Sequence, residues 1–166
     1  MITIKQALND SIAALQKSYD DREARAISQL LIEHITQYAK LDVLMYANEM
    51  LSEAQMQTYH AALERLQQLE PIQYVLGYAW FMNKQLAVNN AVLIPRPETE
   101  ELVAWIISDI RSNNKNIKSL LDIGTGSGCI PITLKKHIKE AEISAVDVSL
   151  EALETAITNA QELNIS

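Results

Sequence analysis

The chain has 166 residues, 48% hydrophobic and 21% charged, a globular composition that allows one or two domains and excludes a disordered tail or a collagen-like rod. Acidic residues outnumber basic ones, 21 to 14, so the positive excess that holds phosphate backbones is missing and no direct nucleic-acid binding is expected. No apolar run approaches the roughly 18–20 residues of a membrane span, and no signal-peptide core opens the chain. Cys129 is the only cysteine, and no Cys/His cluster suggests a metal. The expectation is a cytoplasmic protein with no metal and no membrane.

Residues 1–70 contain neither glycine nor proline and carry six basic against ten acidic residues. Thr3 with Gln6 and Ser52 with Gln55 make capping-box patterns, and Asp20 with Glu23 makes a looser one. Behind the first start, Ile4, Leu8, Ile12 and Leu15 recur at helical spacing. Ile27, Leu30, Leu31, Ile35 and Tyr38 follow the second. After a short segment at 41–47, Met56, Tyr59, Leu63 and Leu66 mark a last helix. An all-α bundle of four or five short helices is predicted for 1–70. His34 and His60 lack ligand partners in sequence and read as ordinary helix histidines.

From Pro71 to about residue 95 the pattern becomes that of a β-hairpin linker. Tyr78–Met82, a polar turn at Asn83-Lys84 and Gln85–Val88 make the hairpin. Asn89-Asn90 forms a second turn, and Ala91–Ile94 a third short strand. Pro95 and Pro97 then stiffen the chain, and Pro97 suits the first turn of a helix. Glu98, Glu100 and Glu101 favour that helix's positive end. Leu102, Val103, Ile106, Ile107 and Ile110 are its expected buried face. Taken alone, Pro95–Glu101 reads as a stiff helix start; the other reading makes it one wall of a site.

A strand at Ile117–Leu121 leads into Asp122-Ile-Gly-Thr-Gly-Ser-Gly128, and a helix opens at Cys129 with Pro131 in its first turn. The next strand, Glu142–Val146, ends at Asp147, and Ser149 caps a helix running to about Leu163. The order strand, glycine loop, helix, strand, acid, helix is a nucleotide-binding βαβ unit. Glycines allow a tight turn and close backbone approach to a ligand. Helix-start amides can receive an anionic group, and Asp147 stands where a carboxylate can accept both hydroxyls of a ribose. The spacing is G-x-G-x-G rather than the dinucleotide G-x-G-x-x-G, and no G-K-[ST] phosphate loop is present. Lys135, Lys136, His137 and Lys139 form the only basic cluster and read as a solvated helix face.

Asp122, the glycines and the later Asp147 resemble the S-adenosylmethionine site of class I methyltransferases. The resemblance narrows with Pro71-Ile-Gln-Tyr-Val-Leu-Gly77, Leu93-Ile-Pro-Arg-Pro-Glu-Thr-Glu100, Asp122–Ile130 and Ala145-Val-Asp-Val-Ser149. Together these segments look like the HemK/PrmC family of release-factor glutamine N5-methyltransferases, and the likeness runs end to end. The fold it implies is an α plus α/β chain. A helical bundle (1–70) that engages the release factor is followed by a hairpin linker (71–95). The opening βαβ part of a Rossmann-like methyltransferase domain (96–166) completes it. Asp122, Gly124, Thr125, Gly126, Ser127 and Gly128 would line S-adenosylmethionine, with Asp147 on its ribose. Pro95, Arg96, Pro97, Glu98 and Thr99 would lie against the active site.

One departure accompanies the match. The family's catalytic Asn-Pro-Pro-Tyr motif is absent, since the chain has no Pro-Pro pair. By resemblance, that motif's asparagine and a proline carbonyl accept the substrate amide's N–H bonds and aim its lone pair at the methyl group. The expectation is therefore the N-terminal part of a larger enzyme. Alone it would be inactive, weak in cofactor binding and prone to self-association through an open sheet edge. A non-catalytic protein-binding module with a vestigial site is the alternative from another class. A nucleic-acid amino-methyltransferase would share the cofactor site but should show a basic face.

Overall fold

The computed structural model describes residues 1–113 and 116–165. It divides into two compact units, Met1–Leu76 and a second from Gly77 onward.

The first unit is helical: α1 (Ile4–Leu15), α2 (Asp21–Thr36), α3 (Lys40–Met45), α4 (Glu53–Gln67) and α5 (Ile72–Leu76). Both capping boxes form, at Thr3/Gln6 and Ser52/Gln55, and Asp20 caps α2 through Glu23 N–H. The start of α1 is also held by a distant strip of chain. Ile4 and Lys5 donate their amides to the Glu49 and Ala47 carbonyls, each at 2.9 Å, which satisfies donors a helix start leaves unpaired.

The buried faces differ in detail from the expected ones. On α1 they are Ile4, Ala7, Ser11 and Leu15, with Leu8 and Ile12 only half-buried. Ala7 and Ser11 are wholly buried, and their small side chains let α1 lie close to the helices it packs on, α2 and α4. On α2 the seam takes Ile32 and leaves Leu30 at the surface. Tyr59 is fully buried in the core, where its hydroxyl donates to the Ala7 carbonyl at 3.0 Å. Arg65 pairs with Glu70 at 2.6 Å and donates to the Tyr74 and Val75 carbonyls, fastening α5 to the end of α4.

The second unit begins with an antiparallel hairpin, β1 (Tyr78–Phe81) and β2 (Lys84–Ala87). Its turn is one residue earlier than expected: Met82 and Asn83 both adopt positive φ, 47° and 59°. That is the conformation of a two-residue turn matched to strand twist. Asn89–Val92 is a turn closed by Val92 N–H to the Asn89 carbonyl at 3.1 Å. The third strand expected at Ala91–Ile94 does not form. Val92 and Ile94 are buried and Leu93 exposed, so the segment alternates like a strand. It has no ladder to join, and Pro95 and Pro97 remove two donors just beyond it.

Helix α6 (Pro97–Ser112) buries Val103 and Ile107, while Leu102 is exposed and Ile106 and Ile110 are half-buried. Then come β3 (Ser119–Ile123), α7 (Cys129–His137), β4 (Glu142–Val146) and α8 (Leu150–Glu162). The first strand thus sits two residues later than predicted and includes Asp122. β3 and β4 pair in parallel with Asp122 opposite Ala145 and Ile123 opposite Val146. This is the βαβ opening typical of a Rossmann-like methyltransferase fold. Leu121, Ile123 and Val146 share one sheet face, and all three are exposed.

Candidate functional site

The glycine loop lies at the carboxyl end of β3, where open α/β sheets bind ligands. Its three glycines have positive φ but different neighbours. A Cβ at Gly124 or Gly126 would meet nothing within 4 Å. One at Gly128 would stand 2.9 Å from Ile132 Cδ1 and 3.1 Å from Ala156 Cβ. Gly128 therefore serves the packing of α7 and α8, and the first two glycines keep bare backbone at an open face.

The loop's amides are engaged within the chain. Gly124 and Thr125 N–H both donate to the Val146 carbonyl, at 2.8 and 3.1 Å, and Gly128 N–H donates to the Thr125 carbonyl at 2.9 Å. Gly126 N–H donates to Asp147 Oδ2 at 2.9 Å. The anion-receiving role expected of helix-start amides is therefore not open to these four. What remains unpartnered is a set of side-chain oxygens. Among the described residues, four buried side-chain polar atoms lack a conventional hydrogen bond, and three lie together: Asp122 Oδ2 at the end of β3, and Thr125 Oγ1 and Ser127 Oγ in the loop, where the Ser127 hydroxyl has only the Cys129 thiol beside it. Such an atom costs roughly 1–3 kcal/mol when left unpaired. Three together mark a place shaped for something besides stability. An adenosyl amino acid with amino, carboxylate and hydroxyl groups fits this set of one acceptor and two hydroxyls.

Asp147 follows β4, as predicted, and does a task the sequence reading missed. Besides Gly126, its carboxylate accepts Ser149 N–H through Oδ1 at 3.0 Å. These backbone donors, Ser149 first, hold its pKa below the ordinary 3.8. Each oxygen retains a second lone pair, so the carboxylate can serve the loop and still accept hydroxyls from a ligand. The signal was present in Asp147-Val-Ser149, where a strand-end acid two residues before a helix cap forms an Asx-type turn. Burial pushes the Cys129 thiol up, so it is a protonated packing group here.

Pro95–Thr99 has a plainer setting. Arg96, Pro97 and Glu98 are exposed, and Thr99 N–H donates locally to the Arg96 carbonyl at 3.0 Å. The nearby Glu100, expected to favour a helix start or to stand in the wall of a site, accepts Met82 N–H at 2.6 Å and so fastens the hairpin turn to α6. Among the described residues no helix is long and apolar enough to cross a membrane.

Known proteins resemble both units. Residues 6–77 match the family model of the PrmC N-terminal domain, and residues 104–166 match that of the methyltransferase small domain. A release factor glutamine methyltransferase of Flavobacterium psychrophilum is 40% identical over 95% of this chain and 55% of its own length. The Bacteroides thetaiotaomicron protein of that name is 42% identical over 91% of the chain and 53% of its length. For the Staphylococcus aureus protein of that name the values are 32%, 98% and 56%. The chain thus spans about half the length of the curated relatives it matches. With both domain models matched in order and the loop geometry in place, the chain belongs to the HemK/PrmC methyltransferase family.

Proposed function

We propose that this chain is the N-terminal portion of a methyltransferase that uses S-adenosylmethionine. Its target is the side-chain amide nitrogen of the glutamine in a Gly-Gly-Gln loop of peptide-chain release factors. The observation that carries the reading is the cluster of unpartnered buried oxygens at Asp122, Thr125 and Ser127 on the glycine loop. Relatives named for this activity support the choice of substrate.

The cofactor supplies a methyl group made electrophilic by its sulfonium sulfur. The chain's residues bind and orient it: Gly124 and Gly126 keep backbone open to it, Asp122 faces its methionine part, and Asp147 accepts its ribose hydroxyls. Thr125 and Ser127 would hold its polar edge through hydroxyls that are enclosed in the loop, and Gly128 keeps α8 close behind it. Pro95–Thr99 forms a wall of the site, and residues 1–70 engage the release factor, joined by the 71–95 linker to the methyltransferase part at 96–166. The amide nitrogen is a poor nucleophile, so catalysis depends on orienting its lone pair, a matter of position and electrostatics. The family's Asn-Pro-Pro-Tyr motif does that, and it is not in this sequence. A cytoplasmic setting goes with such a substrate.

The test joins residues 1–166 to the remaining half of the Flavobacterium psychrophilum relative and assays methylation of a release factor. The chimera is expected to methylate the glutamine, with Asp147→Ala lowering turnover by about tenfold or more, as losing a charge-assisted contact would. The isolated chain is expected to show none. Turnover by the isolated chain, or methylation of nucleic acid in place of the release factor by the chimera, would overturn the proposal.

A further inference from the structure

Asn159 lies within α8, near its end, is 1% exposed, and has no place in the cofactor reading above. Its side chain nevertheless joins three pieces of chain. Oδ1 accepts Ala87 N–H at 2.6 Å, while Nδ2 donates to the Ala87 carbonyl at 3.0 Å and to the Ser127 carbonyl at 2.9 Å. Both amide hydrogens and the oxygen are thus in use, and the partners are all backbone groups. One of those partners is in the glycine loop and the other is the last residue of β2.

A second contact lies one helical turn earlier. Thr155 Oγ1 accepts Asn89 Nδ2 at 3.0 Å and itself donates to the Glu151 carbonyl at 2.9 Å. The spacing has a simple geometric reason. Four residues along a helix rise about 6 Å, and two residues along an extended chain advance about 6.6 Å, so Thr155 and Asn159 match Asn89 and Ala87 in register. The chain leaving the hairpin therefore runs along α8 with two fixed points, and only the Asn159 point also reaches the loop. Gly128, pressed against Ala156 of the same helix, lets α8 come near enough for that reach.

We infer that Asn159 is a positioning residue for the glycine loop: its carboxamide locks the Ser127 carbonyl to the strand end at Ala87 and so sets the loop's conformation before any cofactor arrives. Its value for catalysis rests on the cofactor reading of that loop; the lock itself does not.

Amide hydrogen exchange, read residue by residue by NMR on the ligand-free 166-residue chain, tests it. In Asn159→Ala the Ala87, Gly126 and Gly128 amides are expected to exchange about tenfold faster or more. In Asn159→Asp near neutral pH the acceptor for Ala87 N–H remains while both donors, to the Ser127 and Ala87 carbonyls, are lost. There Gly126 and Gly128 should quicken and Ala87 should not. Thr155→Val should leave the loop amides as they are. Unchanged Gly126 and Gly128 exchange in either Asn159 variant would overturn the inference. So would an equal rise at every amide of the second unit in both, which would make Asn159 a stabilising residue and nothing more. Calorimetry with S-adenosylhomocysteine on the chimera is a separate reading: no binding by the unaltered chimera defeats the cofactor assignment and leaves the exchange result standing.

Discussion

The two units differ in how their unpartnered buried polar groups are distributed, while both leave large apolar side chains exposed, Leu41 and Leu44 on α3 as well as Ile123 on β3. In the first, long-range polar contacts close on the unit itself: Tyr59 to Ala7, Tyr19 to Leu66 at 3.1 Å, Gln55 to Ile35 at 3.2 Å. Its apolar core is one continuous cluster running from Ile4 to Ile72. In the second, three buried oxygens of the glycine loop are unpartnered. Ile123 is 78% and Val146 45% exposed on one sheet face. A unit that pairs its buried polar groups is organised for stability; one that gathers unpaired ones at a single loop is organised around something it holds or adjoins. The lone unpartnered buried oxygen of the first unit, Ser28 Oγ, lies on α2 without companions, so the contrast is one of clustering.

The largest test of that contrast is in the cores. Leu31 is 0% exposed, and Leu31→Ala should cost about 2–5 kcal/mol, since it removes transfer energy and opens a cavity. Ile123→Ala on the bare sheet face should fall within about 0.5 kcal/mol in urea unfolding of dilute chain, as for a surface change. The same face should drive association at higher concentration. Replacing Ile123 with Lys should lower the mass seen by light scattering, because a charge there opposes pairing of exposed apolar sheet. Equal stability costs at Leu31 and Ile123 would break the comparison.

A medium effect lies in the Tyr59 phenol. Burial is the main cause that raises its pKa from 10.0 to about 12. The native state then holds a proton that the unfolded chain has released, so stability is full below pH 10 and falls as pH rises toward about 12. Tyr59→Phe should flatten that alkaline slope. At neutral pH it should cost about 1 kcal/mol, because the Ala7 carbonyl loses its donor. Denaturant midpoints across pH 8–11.5, an accessible range of roughly this span, would show it. A slope unchanged in the Phe variant would mean that Tyr59 ionises like an exposed tyrosine.

How much of this was legible in the sequence differs between the units for a physical reason. Capping boxes are local, so Thr3/Gln6 and Ser52/Gln55 could be read directly, as could the parallel βαβ order around Gly124–Gly128. Which residue of a helix faces inward is decided by its neighbour. Ala7 and Ser11 therefore displaced Leu8 and Ile12 from the seam, and Ile32 was buried where Leu30 had been expected. Ala91–Ile94 had the alternation of a strand, but strands exist by pairing, and pairing is not written in the segment. At the site, the glycines and Asp147 announced themselves by spacing. Glu100 on Met82 and Asn159 on Ser127 span 18 and 32 residues, and no local pattern carries contacts of that range.

The smallest expected effect concerns Asp147, where the two habits of the molecule meet in one side chain. Its carboxylate stabilises the fold by accepting Ser149 and Gly126 N–H, and those donors depress its pKa below 3.8. The interaction is therefore complete above that value and is lost as pH falls through the depressed one. Being solvent-accessible, it should move loop behaviour more than global stability. The Gly126 and Ser149 amide chemical shifts should titrate together with a midpoint under 3.8. Asp147→Asn should abolish the titration and leave the helical unit's unfolding midpoint unchanged. A midpoint at or above the ordinary carboxylate value would mean that the loop is not tied to Asp147 in solution, and the buried oxygens of Asp122, Thr125 and Ser127 would lose the frame that keeps them together.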